Sequence, residues 1–231
     1  MTSPRCVSAI FEVKFKNKLS PLEILIGFRL FKEITGKKTE VLDPAKSNVT
    51  GGFNFTDPQS KLTTIVEVNR IAISTEIENN TQEDVIKKSL KVLYSNFEYK
   101  ELDIQRVGVR TMWVLPYSKS FTDLMTHYKN NFYNSSNPLV SESTDVAVSL
   151  SLEDHDNKVN FNSGPMKPEQ LKTVFLKFGT NVELPHDFIF ADIDRYTTSL
   201  TNKETDLTNY IRDSIEYGSK KMLELEQIIN K

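Results

Sequence analysis

Four charged side chains, Arg106, Arg110, Asp192 and Asp194, fall in two segments that alternate apolar and polar residues. The segments are Ile104-Gln105-Arg106-Val107-Gly108-Val109-Arg110 and Ala191-Asp192-Ile193-Asp194-Arg195-Tyr196. Successive strand residues point to opposite faces, so Val107, Val109, Ile189, Ala191 and Ile193 share one face and the four charges share the other. Guanidinium forks suit carboxylate or phosphate, and Gly108 between the arginines would let a ligand approach the backbone. These five residues form a candidate ligand-binding patch. The plainer reading is cross-strand ion pairing on a wet surface, which contributes about 0.2–1 kcal/mol per pair.

Other chemistries find less support. Asp192 and Asp194 point the same way on a strand, as metal bridging would require, but no third acidic ligand accompanies them, so no metal site is assigned. Glu153-Asp154-His155-Asp156-Asn157 sits between two alternating segments, and its Asp and Asn supply turn geometry, so it reads as a solvated hairpin tip. His127, His155 and His186 have no ligand or metalloprotease spacing, and no G-x-S-x-G elbow or phosphate-binding glycine loop occurs. Gly51-Gly52 reads as a strand bend. Cys6 is alone, which excludes an internal disulfide and a Cys-based zinc site. With no enzyme motif, neither an activity nor a cofactor is assigned.

The chain has 231 residues, with 29 basic against 31 acidic side chains, a formal charge of −2 and a pI near 6.0. The split is +1 for residues 1–103 (15 basic, 14 acidic) and −3 for residues 104–231 (14 basic, 17 acidic). A grip on nucleic acid through its phosphates needs uncompensated Lys and Arg, so that class ranks below protein or small-anion binding. No apolar run approaches the ~20 residues of a membrane span, and the N-terminal segment lacks the apolar stretch of a secretory signal. A cytoplasmic protein is expected.

The elements that must position the patch emerge when the chain is cut near Asp103. The first half opens on a strand in which Phe11, Val13 and Phe15 alternate with Glu12, Lys14 and Lys16. A helix over 20–36 follows, with Ser20 as N-cap, Pro21 at its first position and Gly36 as its stop. Strand-like runs come at 40–42, 49–55, 62–68 and 71–77, and Thr81 caps a second helix in which Ile86, Leu90, Leu93, Tyr94 and Phe97 fall at helical spacing. The second half repeats this order. A strand over 104–115 leads to a helix capped at Ser120, then strands at 144–152, 158–162, 173–178 and 188–196 and a helix over 203–229. Short connections between consecutive strands argue for antiparallel pairing. The expected architecture is α+β: a curved antiparallel sheet built from two strand–helix–four strands–helix repeats, 1–103 and 104–231, with all four helices on one face.

That order resembles the tandem fold of the TATA-binding protein over nearly the whole chain. The resemblance implies that the first strands of the two halves meet at the sheet centre and that the face opposite the helices is open for binding. In sequence, the Arg106–Arg110 and Asp192–Asp194 segments resemble landmarks of a sporadically distributed bacterial family with no established activity. That family has an R-[IV]-G-[LV]-R-Y strand in mid-chain and a D-I-D strand before its last helix. Thr111 stands where it has Tyr. This resemblance implies bacterial or phage origin and an accessory role in defence or mobile-element systems.

The terminal helix carries a second candidate surface. Ile211, Ile215, Gly218, Met222, Leu225 and Ile229 step by four and three, a heptad seam. Its last turns outrun what half a sheet should cover. Gly218, Met222, Leu225 and Ile229 are therefore assigned to a partner helix, which includes a homo-oligomer, with core packing as the alternative. The sequence as a whole reads as a non-catalytic binding module for a protein partner or small anionic ligand.

Overall fold

The computed structural model describes residues 3–16, 53–57, 61–77, 90, 103–174, 184–199 and 204–230. The predicted helix over 20–36 and the run at 40–42 lie outside them, as does the predicted helix after Thr81 except for Leu90, which is helical and buried. Eight strands are described: β1 (Arg5–Phe15), β2 (Phe53–Asp57), β3 (Leu62–Glu67), β4 (Arg70–Glu76), β5 (Ile104–Pro116), β6 (Val148–Asp154), β7 (Asn157–Met166) and β8 (Phe188–Thr197). They form one sheet in the order β2-β3-β4-β1-β5-β8-β7-β6, and every neighbouring pair is antiparallel. β1 and β5 are central.

The strands sort their side chains as their alternation requires. Phe11, Val13 and Phe15 of β1, Val107, Val109, Trp113 and Leu115 of β5, and Ile189, Ala191 and Ile193 of β8 enter the main core. A register shift between Cys6 and Ser8 adds a residue to β1. Cys6 thereby returns to the core side with Ala9, while Val7 turns to the other.

Four helices are described. α1 (Phe121–Phe132) begins at a capping box, in which the Asp123 N–H donates to Ser120 Oγ and the Ser120 N–H to the Asp123 carboxylate, each at 3.2 Å. α2 (Pro138–Ser141) is a single turn, and α3 (Pro168–Val174) follows β7. α4 (Glu204–Ile229) runs over the central strands and touches α1. Tyr128 locks α1 to the sheet. The single Ser163 hydroxyl hydrogen goes to the Phe190 carbonyl at 2.7 Å, so Tyr128 must donate to Ser163 Oγ at 2.8 Å. Among the described helices none is long and apolar enough to cross a membrane.

Two expectations need correction. The strand expected over 173–178 does not begin where it should, because Thr173 and Val174 end α3. Glu169 and Lys172, at the first and last turns of α3, suit the helix dipole. The described helices also do not share one face. Leu171 of α3 packs with Val7, Met112, Val114, Phe188 and Phe190, the strand residues whose side chains point away from α1 and α4. A two-faced apolar patch at this end of the sheet needs a second cover, and α3 supplies it.

Candidate functional site

α3 roofs the apolar end of that second face, and no described helix covers its charged end. A shallow depression of about 260 Å³ lies there, with Ile10, Ile65 and Ala72 in its lining together with Glu12, Arg70, Arg106, Gly108, Arg110 and Asp194. The four predicted charges do share this face. Their pairing is offset from the ladder. Arg110 lies opposite Asp194 and Met112 opposite Asp192, yet Arg110 reaches its diagonal neighbour Asp192 in a bidentate fork, Nε at 2.8 Å and Nη2 at 2.5 Å. Arg106 Nη2 reaches Asp194 at 2.8 Å, past the Gly108–Tyr196 pair.

Gly108 lies in the lining of the depression, next to the Arg106 guanidinium. A Cβ at Gly108 would lie 3.6 Å from the Arg106 guanidinium and 3.4 Å from Tyr196 Cβ. The space over this glycine is taken by Arg106, whose guanidinium carbon sits 4.2 Å from the centre of the Tyr196 ring. That is a cation–π contact. A Cβ would meet both neighbours only at ordinary van der Waals distance, and Gly108 itself stays in the lining of the depression beside Arg106.

Two further members, Glu12 and Arg70, were not singled out from sequence. Glu12 of β1 accepts from Arg106 at 2.5 Å and from Arg70 at 3.1 Å, and Lys14 lies 3.5 Å from it. Arg70 also reaches Glu67 at 2.8 Å. The alternation of β1 already placed Glu12 on this face; only the strand order, which seats β1 between β4 and β5, brings it to the arginines. These contacts link Lys14, Arg70, Arg106 and Arg110 with Glu12, Glu67, Asp192 and Asp194, four cations against four carboxylates. Asp194 is pushed above the ordinary carboxylate range because burial outweighs the pull of Arg106 and Arg110. Arg110 is pushed up, chiefly by its hydrogen bonds to Asp192. Its side chain stays 44% exposed, and its Nη1 has no partner among the described residues.

On the opposite face the seam of α4 belongs to this chain's own core. Met222, Leu225 and Ile229 are 0%, 3% and 1% exposed and join the core cluster. At Gly218 a Cβ would fall 2.7 Å from Trp113 Nε1, so the glycine seats the helix on the indole. The assignment of these four residues to a partner helix is corrected: α4 crosses the central strands, so one chain can cover the whole seam.

Arg195, missed as a site residue, is the buried cation beneath α4. Its Nε and Nη2 reach Asp154 at 2.9 and 2.8 Å, and Nη1 donates to Ser214 Oγ at 3.0 Å. The guanidinium lies 5.2 and 5.5 Å from the rings of Tyr210 and Tyr217. Its signal lies in the sequence: Arg195 shares the parity of Ile189, Ala191 and Ile193. The hairpin tip is thus not wholly solvated, since Asp154 anchors it to this arginine while His155 makes the turn at φ 54°.

No family model matches the chain, and no curated protein matches it in sequence. Among the described residues no group of three metal-ligating side chains occurs.

Proposed function

We propose that the chain is a non-catalytic binding module and that the charged sheet face takes a carboxylate, free or carried on a protein partner, at the outer edge of Arg110. The carrying observation is the geometry of that side chain. Asp192 holds the guanidinium by Nε and Nη2 and fixes its plane, while Nη1 points no hydrogen at any described residue. A pre-oriented fork with spare donors binds an anion at little cost in side-chain entropy. The balance of four cations and four carboxylates favours one discrete carboxylate over a polyanion such as nucleic acid, because phosphate neutralisation requires net positive charge. The mirrored strand order supports reading residues 1–103 and 104–231 as two repeats of one sheet, similar to the TATA-binding-protein fold; the charge balance separates this face from a nucleic-acid saddle.

The test is a titration of the full chain, followed by the side-chain Nε–H signals of arginine, with succinate in one arm and a tetraglutamate peptide in the other. Arg110→Gln is expected to abolish binding in whichever arm shows it. Asp192→Asn, which breaks the bidentate hold that orients Arg110, is expected to weaken it. A duplex oligonucleotide that binds more tightly than either probe, or binding that survives Arg110→Gln, overturns the reading.

A further inference from the structure

We propose a second binding site, on the helix-covered side, for an organic cation: an ammonium or guanidinium group carried on an apolar body. A cavity of about 360 Å³ opens where β5 ends beside the last turn of α4. Leu115, Pro116 and Ile189 give it apolar walls, Tyr117 and Ser118 one polar edge, and Glu226 and Asn230 the other. Volume and composition are those of a small-molecule pocket: apolar walls with a few polar groups that fix orientation.

The sign of the ligand follows from two sources of negative potential. Among the described lining residues Glu226 is the only formal charge, and it forms no ion pair with any described residue. The carbonyls of the last turn of α4 point toward the same end, where a 26-residue helix presents the negative pole of its dipole, and that turn carries no basic residue to offset it. An anion would be repelled on both counts. A neutral apolar guest would desolvate Glu226 without compensation. A bare metal ion would find one carboxylate where hard cations take six or more oxygens. An ammonium on an apolar stem satisfies the carboxylate and fills the walls. The Tyr117 ring offers it a cation–π face, and burial, with Asp123 nearby, raises the Tyr117 phenol so that it stays neutral.

The experiment titrates the full chain with phenethylammonium, with 2-phenylethanol as neutral isostere and with 3-phenylpropionate, read by saturation-transfer NMR and calorimetry. Only the ammonium is expected to bind at millimolar concentration. Glu226→Gln should weaken it about ten- to hundredfold, the loss of one charge-assisted hydrogen bond, while leaving the unfolding midpoint unchanged because Glu226 has no ion pair among the described residues to lose. Ser118→Trp, at an exposed rim position, should block the cavity and abolish binding without unfolding. Failure of the ammonium to bind, equal binding of the alcohol or the propionate, or binding that survives Glu226→Gln or Ser118→Trp overturns the proposal.

Discussion

Gly218→Ala decides whether α4 is a core helix or a partner helix. On an exposed helix face the substitution would stabilise by about 1 kcal/mol, the helix-propensity gap between the two residues. Here the new Cβ falls 2.7 Å from Trp113 Nε1 and 3.0 Å from the indole carbons Cε2 and Cζ2, so the ring or the helix must move. Overpacking of this kind costs about 1–3 kcal/mol. The indole is also committed: Nε1 donates to Thr111 Oγ1 at 2.8 Å, and both residues are buried. A displaced ring strands that donor and costs about 1 kcal/mol more. Against the propensity gain, the variant should lose about 1–3 kcal/mol.

Trp113 is the only tryptophan of the chain, so its fluorescence during urea unfolding reports on the contact itself. The midpoint should fall, the slope should hold, the native emission should shift, and none of these should depend on protein concentration. A stabilised variant with unchanged emission would refute the seating of α4 on the indole. A midpoint that moves with concentration would restore the partner-helix reading.

Truncation after Glu216 removes Met222, Leu225 and Ile229 from the core, each worth about 2–5 kcal/mol on truncation to alanine; the shortened chain should lose its cooperative transition in circular dichroism. Arg195→Ala strands the Asp154 carboxylate and should cost about 3 kcal/mol in denaturant unfolding; a loss below about 1 kcal/mol would mean that water already solvates the pair. Asp194 has a raised folded pKa, so its contribution is present below the ordinary carboxylate pKa and is lost as pH rises through the folded value. The stability difference of wild type minus Asp194→Asn should therefore grow as pH falls from neutral toward about 4, and a difference that shrinks would contradict the burial-dominated shift. Burial raises Tyr128 strongly; its share of stability holds below about pH 10 and drains above it. Tyr128→Phe should lose about 1 kcal/mol at neutral pH and show a weaker alkaline decline.

What could be read in the sequence was whatever depends on neighbours along the chain. The alternation of Val107 with Val109, and of Ala191 with Ile193, needs only the two-residue strand period, and the capping box at Ser120 needs only three residues. Both carry over directly to β5, β8 and α1. The strand expected at 173–178 loses its first two residues to α3 because short apolar runs do not separate strand from helix; Pro168 and Glu169 mark a helix start, and Leu171 had a waiting apolar patch of Val114, Phe188 and Phe190. That patch was hidden because Met112 and Val114 break the one-faced reading of β5: the same strand is polar outward at Arg106 and Arg110 and apolar outward from Met112 on. The heptad seam of α4 was real, but a seam states only that something covers it. Whether the cover is another chain or this chain's own Trp113 depends on where β5 lies, which no local pattern contains.

The charged patch shows the same boundary from the other side. Parity alone places Arg106, Arg110, Asp192 and Asp194 on one face, yet it gives them equal standing. The ladder does not. Gly108 sits opposite Tyr196 and Glu12, so Arg106 folds over the glycine onto the Tyr196 ring and is held by Glu12 and Asp194 together. Arg110, further along the strand, has Asp192 on one edge and no described partner on the other. One arginine thus serves the sheet and the other is left with donors to spare, a distinction created by strand register, and it is the reason the proposed carboxylate is assigned to Arg110.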